Sequence, residues 1–375
     1  MKTGKIAIFT DSDSPIQIRE IEIPEPGSGQ ILVKIEYTTL CRSDLNTFCG
    51  KRIEKTPTIL GHESVGHIVK FGPDTPEIDS RGEIIEQGDR ISWAIYASKP
   101  DSEMAKKGIP QKAPELFKYG HEEITPGSTL HGGLGEYILL RENTALAKID
   151  ESVPVQVAAT INCAVATVMG AIRLAGEISG KKILVSGAGM LGILTCALCK
   201  TLKASAIFVT DLIPARIETA YLFGADAGSI MSENLPETIN KNFDNPAPFD
   251  ILIELSGNPE TMEKTLEFLN IGGVAVWAGA AFPSRNTQIN AEKVVRNLWT
   301  IKGLHNYSEE DFICAVNFIE KYHVEFPFYQ LVYDHFTLDE INDAFSYALN
   351  KNPYRVGVKI YQTVQSKTLK NRNIK

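Results

Sequence analysis

Cysteine and histidine are scarce in this chain, 6 and 7 among 375 residues. So few cysteines over such a length exclude a disulfide framework and fit reduced thiols, some of them free to hold a metal. Long apolar runs are missing too. No window reads as a bilayer span. The N-terminus MKTGKIAIFT passes into DSDS without the apolar region or cleavage site of a signal peptide, so the expected location is the cytoplasm. Positive charge is not in excess. The net charge is −8, which argues against nucleic-acid or membrane-surface partners. The one basic stretch, SKTLKNRNIK after Ile360, reads as a solvated end. With 43% hydrophobic and 22% charged residues, the chain is long enough for two domains with cores of their own.

The first third is β-rich. ILVKIEYTTL, SVGHIVKFG, GDRISW and GEYILL are short runs of Val, Ile and Tyr bounded by Gly, Pro and Asp. From about residue 181 strands alternate with helices: KKILVSG, MLGILTCALCKTLKA, AIFVTD, PARIETAYLFGA, FDILIELSG. That rhythm predicts βαβ units and a parallel sheet, hence an α/β fold. Amphipathic helices and a closing strand, YRVGVKIYQ, follow. The layout expected is a discontinuous catalytic domain, 1–163 and 305–375, around a nucleotide-binding domain, 164–304. The polar loop from about 96 to 131 is long enough to expect a function of its own.

Gly187-Ala188-Gly189-Met190-Leu191-Gly192 is GxGxxG after a strand and before a helix, and Asp211 follows its last glycine by 19 residues. Gly187 permits a tight turn, Gly189 admits a pyrophosphate to the backbone, and Gly192 lets helix and strand pack closely. Asp211 would accept hydrogen bonds from a ribose diol and repel a 2′-phosphate, which favours NAD; Arg216, five residues on, leaves NADP open.

Cys41 in CRSD, His62 in GHESVG and Cys163 in TINCAVATVMG form a Cys2His set, the kind that holds an open catalytic zinc with three protein ligands. The residues alone leave open that these are three unrelated buried side chains. Cys196 and Cys199 fall on the apolar face of the helix after the glycine loop and read as core; Cys49 and Cys314 show no partner. His67, His305, His323 and His335 read as structural; His121 and His131 flank the end of the long loop, where they could approach a cleft, with surface or hydrogen-bonding roles as the other reading.

Taken together, these motifs resemble the zinc-dependent medium-chain alcohol dehydrogenases over about residues 5–360. The resemblance implies a GroES-like β-rich catalytic domain beside a Rossmann doubly wound parallel sheet, one catalytic zinc, and NAD. It implies Cys41, His62 and Cys163 as zinc ligands, with Glu63 beside the metal and in some members a ligand. Asp44 would orient His62, and Ser43 would take the substrate proton. Arg42 and Arg355 would lie near the cofactor phosphates and Thr167 beside the nicotinamide. Backbone carbonyls about Trp277–Gly279 would hold the carboxamide. The implied reaction is reversible oxidation of an alcohol to an aldehyde or ketone; a polyol or sugar dehydrogenase, or a non-catalytic nucleotide-binding homologue, are the alternatives. A homodimer or homotetramer is expected, through pairing near LWTIKGL.

Two departures stand out. The family's proton-relay histidine, five residues after the first zinc cysteine, is Asn46 here, so the relay must end differently, with Asn46, cofactor ribose and water as the alternatives. The long loop lacks the four cysteines of a structural zinc; Lys99, Ser102, Ala105 and Ala113 occupy those places, so no structural zinc is expected. Lys99 would stand in for the cation. GIPQKAPELFKYGHE with CRSDLNTFCGKR also resembles the branch of alcohol dehydrogenases associated with phosphonate catabolism.

Overall fold

The structure, a computed structural model, describes residues 2–232, 234–243 and 248–360. The basic tail after Ile360 lies outside the described residues. Two sheets dominate. Six strands, all paired in parallel, run in the order Ala227–Ile230, Ala206–Asp211, Lys182–Ser186, Phe249–Glu254, Leu269–Trp277, Thr300–Gly303. In chain order this is the 3-2-1-4-5-6 arrangement of a doubly wound dinucleotide fold. It places the topological switch point between Lys182–Ser186 and Phe249–Glu254. These strands carry continuous apolar cores, such as Ile183, Leu184 and Val185, because helices cover both faces. Thr300–Gly303, within LWTIKGL, is the edge strand on its side.

The second sheet has eight strands. Ile31–Leu40 is its spine, flanked by Glu63–Phe71, Tyr137–Leu140 and Arg355–Lys359, all antiparallel to it. Arg355–Lys359 returns the end of the chain to the sheet built from its front, and Val332–Thr337 pairs with it in parallel. This β-rich unit beside the parallel sheet is the mixed α/β architecture that the strand patterning predicts.

Between the sheets runs the helical segment Val155–Ala175. An 18-residue window of it has mean hydropathy 1.7, long and apolar enough to cross a membrane, against the reading that no window is; but 78% of that window is buried within the protein, so the segment serves as a core helix. Apolar side chains from both sheets, Val65 and Ile95 from one and Ile183 and Val185 from the other, belong to the same core as this segment. Each large aliphatic buried there contributes about 1.5–3 kcal/mol, which fixes the seam between the halves.

The long loop carries its own short elements: a helix Glu103–Lys106, a 3-10 turn Pro110–Lys112 and a strand Phe117–Lys118. Backbone closure occupies the four positions lacking cysteine. Ser102 N–H donates to Lys99 O (3.1 Å), Ser102 Oγ accepts from Ala105 N–H (3.1 Å), and Ala113 N–H donates to Pro110 O (3.0 Å). Lys99 Nζ pairs with Glu115 at 2.9 Å on an exposed surface.

Candidate active site

The sequence CRSD builds its own scaffold. Cys41 is the N-cap of the helix Arg42–Phe48, and Asp44 at the third helical position accepts the Cys41 backbone N–H at 2.8 Å. The other Asp44 oxygen accepts the Gly61 N–H at 3.1 Å, one residue before His62. It also lies 3.3 Å from Nδ1 of His62, inside ion-pair range although off the line of a hydrogen bond. Asp44, fully buried, therefore binds together the two segments that carry Cys41 and His62. Cys163 arrives on a π-helical turn, Ile161–Val165, within the long core helix. Such turns are frequent at functional sites because the extra residue re-aims a side chain. Its neighbour Asn162 is pinned on both sides: its amide donates to Trp93 O (2.8 Å), and its carbonyl accepts from the buried Tyr307 hydroxyl.

The result is convergence. One ligand atom each from Cys41, His62 and Cys163 lies within 4.8 Å of the others. With Nδ1 turned to Asp44, Nε2 of His62 is left for a metal, and Ser43 Oγ lies 3.3 Å from that nitrogen. The two thiols share a hydrogen bond that holds Cys41 well below the ordinary thiol value, aided by the charges of Arg355 and His62; the same bond, with burial, pushes Cys163 well above it. Burial works against charging His62, but the Asp44 carboxylate and Cys41 outweigh it and hold its pKa up at about 10. The site thus favours a thiolate, and two soft sulfurs with an imidazole suit zinc.

Glu63 and Arg355, the latter on the cavity wall, are engaged with each other beside Cys41. Glu63 is outside the ligand group: Arg355 donates to its two oxygens at 2.6 and 2.8 Å, and Thr39 Oγ1 donates at 2.5 Å. Arg355, expected near the cofactor phosphates, has its donors on Glu63, on the Tyr354 carbonyl (2.9 Å) and toward Cys41 Sγ (3.7 Å). The physical reason is burial. An arginine and a glutamate this enclosed satisfy each other before anything else.

These groups open into a cavity of about 1060 Å³ that also holds the glycine loop, with Thr167, Asp211, Arg42, Arg216, Ala278 and Gly279 on its walls. The loop fits a dinucleotide. Gly187 has φ +98°, and a Cβ there would meet Ser256 N at 2.9 Å. A Cβ on Gly192 would strike Gly187 O at 1.9 Å, whereas around Gly189 the space is open. The helix Met190–Thr201 begins at Gly189 without a side-chain cap, leaving N–H groups for an anion. Asp211 accepts from the backbone N–H of Ala188 (2.7 Å) and Ile213 (2.9 Å), which couples the strand end to the loop. Arg42 and Arg216 both reach Asn352, by its side-chain oxygen (3.2 Å) and its carbonyl (3.1 Å).

His121, which the sequence places where it could approach a cleft, lines the cavity, and other cavity residues escaped the sequence reading. His121 is buried and packs on His62 with ring centroids 5.1 Å apart. Lys118, Arg52 and His305 share the wall. The only sequence signal was their neighbourhood: GHE-like and loop segments whose packing no local pattern specifies. Cys196 and Cys199 are fully buried on the helix Met190–Thr201, as their spacing implies, and Cys49 and Cys314 are exposed.

Comparison with known proteins agrees with this site. Residues 27–151 match the alcohol dehydrogenase GroES-like domain, and residues 191–321 match the zinc-binding dehydrogenase model. The chain is 29% identical over 363 residues to D-arabinose 1-dehydrogenase (NADP(+)) of Saccharolobus solfataricus, covering 92% of this chain and 94% of that one. It is 25% identical to L-threonine 3-dehydrogenase of Vibrio parahaemolyticus over 334 residues, 88% of this chain and 91% of that one. An alcohol dehydrogenase structure from Thermotoga maritima superposes with TM-score 0.90 at 24% identity, over 96% of this chain and all (100%) of that one. Two domain matches in the right order, full-length relatives acting on CH–OH groups and a Cys2His cluster at the dinucleotide cleft lead to one conclusion: the chain belongs to the zinc-dependent medium-chain alcohol dehydrogenases, oxidoreductases that work with zinc and a nicotinamide dinucleotide.

Proposed function

We propose that the chain catalyses reversible hydride transfer between an alcohol and NAD, giving an aldehyde or ketone. The observation that carries this reading is the convergence of Cys41, His62 and Cys163 in the same cavity as the glycine loop. Bound there, zinc supplies positive charge that lowers an alcohol's pKa, and NAD supplies the hydride acceptor. The protein's own part is placement. Ser43 Oγ, 3.3 Å from His62 Nε2, is positioned to take the substrate's hydroxyl proton. Asn46, also on the cavity wall, has no titratable group and so cannot itself take the proton on from Ser43.

Asp211 is the ribose reader in this proposal, and its carboxylate disfavours a 2′-phosphate. Arg216, the residue that would serve such a phosphate, donates to Asn352 O instead, which supports NAD over NADP. A sugar or polyol dehydrogenase is the second reading, favoured by the arabinose-directed relative.

Elemental analysis tests the metal site directly. The ligand count predicts about one zinc per chain, lost on Cys163→Ser. Asp211→Ser should narrow the gap between NADH and NADPH dissociation constants in fluorescence titrations; an unchanged ratio removes Asp211 from that role. A zinc-loaded enzyme that oxidises no member of a broad alcohol and polyol panel with either cofactor would remove the activity.

A further inference from the structure

The metal end of the cavity is lined by basic side chains that the proposed chemistry does not use. Asn46 O accepts the backbone N–H groups of Lys51 (2.8 Å) and Arg52 (3.0 Å), and both side chains line the cavity. Lys118 ends the short strand that pairs with Tyr96–Ala97 and reaches the same wall. His305, just past the edge strand Thr300–Gly303, enters from the nucleotide-binding half with Nδ1 2.6 Å from Lys112 Nζ. These groups lie toward the Cys163 and His121 end of the cavity. Lys118 and Arg52 both act electrostatically on His305 and on His121, the residue packed against His62, and Lys118 feels the charge of Cys163.

Acid is scarce there. Glu54 pairs with Arg52 Nε (2.5 Å) and with His121 Nδ1 (2.9 Å). Glu122 accepts the Lys118 backbone N–H (3.2 Å), and its other oxygen faces Lys55 (3.7 Å). The half-buried Lys118 ammonium makes no ion pair among the described residues. Burial and then the charge of Arg52 lower its pKa to about 8. The acids nearest the metal set are engaged elsewhere: Glu63 by Arg355, and Asp44 by the Cys41 and Gly61 backbone N–H groups. An ammonium withdrawn from water without a counter-ion is costly, and a bound anion relieves that cost.

Building on the dehydrogenase reading above, we propose that the substrate is a small alcohol bearing an oxyanion tail, a phosphonate, phosphate or carboxylate, held between Lys118, Arg52 and His305 while its hydroxyl reaches the metal. The tail does not react. The carbinol carbon gives up a hydride to the nicotinamide and the hydroxyl gives up its proton, so one two-electron oxidation balances one cofactor reduction.

The test uses zinc-loaded enzyme with NADH, titrated calorimetrically with ethylphosphonate, inorganic phosphate, propanoate and neutral 1-propanol. The wild type should bind at least one of the anions, and which one identifies the tail. Lys118→Met and Arg52→Gln, each first shown to melt like the wild type, should weaken that binding about 10- to 100-fold, the loss of one charge-assisted contact. In turnover, the ratio of kcat/KM for 2-hydroxyethylphosphonate or 3-hydroxypropanoate over 1-propanol should fall by a similar factor. No anion binding to the wild type, or an unchanged ratio in both variants, overturns the proposal while oxidation of 1-propanol leaves the dehydrogenase reading standing. Anion binding lost in the variants, without turnover of any alcohol, would keep the oxyanion site and remove the activity reading.

Discussion

Asp44 Oδ1 lies 3.3 Å from Nδ1 of His62, while Oδ2 of the same carboxylate accepts the backbone N–H of Cys41 at 2.8 Å. One buried acid thus sets the position of two of the three converging side chains and the basicity of one. Asp44→Asn keeps the shape and removes the charge. Zinc affinity should fall about 10- to 100-fold, the usual effect of losing a partner that orients a ligand. Chelator competition with a chromophoric indicator measures it, and needs no turnover. Unchanged affinity would show that the backbone contacts alone hold the site.

The glycine loop separates two kinds of glycine. A methyl on Gly192 would sit 1.9 Å from the Gly187 carbonyl, which cannot yield without moving the strand; Gly192→Ala should lower stability by about 1–3 kcal/mol or more and be read in the urea midpoint. A methyl on Gly189 meets nothing within 4 Å, so Gly189→Ala should fold normally. Its cost falls on the cofactor, as NADH affinity drops about tenfold or more where the pyrophosphate approaches the backbone. Equal behaviour of the two variants would contradict this division.

Arg355 and Glu63 stand 292 residues apart and meet in a buried pair with contacts of 2.6 and 2.8 Å. Arg355→Met leaves an uncompensated carboxylate beside Cys41 and should cost about 3–5 kcal/mol. Adding Glu63→Gln should recover part of that loss. A double-mutant cycle in urea measures the coupling, and simple additivity of the two changes would mean that the pair does not act as a unit.

That pair also shows where sequence reading stops. The alternation KKILVSG, MLGILTCALCKTLKA, AIFVTD is a local signal, and the parallel sheet it announces is present as the six strands ending at Thr300–Gly303. The metal set was legible only as residue types, because Cys41 and Cys163 are joined by packing rather than by spacing. Glu63 read as a neighbour of His62 belongs to a partner from the far end of the chain. Lys118 and His305 read as ordinary residues, because their convergence depends on how the long loop packs beside the segment that follows Thr300–Gly303. Val155–Ala175 shows the converse: its composition suits a bilayer, and its place between two sheets makes it core.

His131 provides a stability test away from the metal ligands. It is 1% exposed, and neither ring nitrogen has a hydrogen-bond partner among the described residues. Burial lowers its pKa from 6.5 to about 4. The neutral ring is therefore the folded form, and protonation favours the unfolded chain. The sign follows: this contribution is intact above pH about 6.5 and is lost as pH falls toward 4, by up to roughly 2–3 kcal/mol. His131→Leu, similar in size and not titratable, should flatten the decline of stability across that interval. Urea unfolding at pH 7 and pH 5 decides it: a decline as steep in the variant as in the wild type would place the acid sensitivity elsewhere.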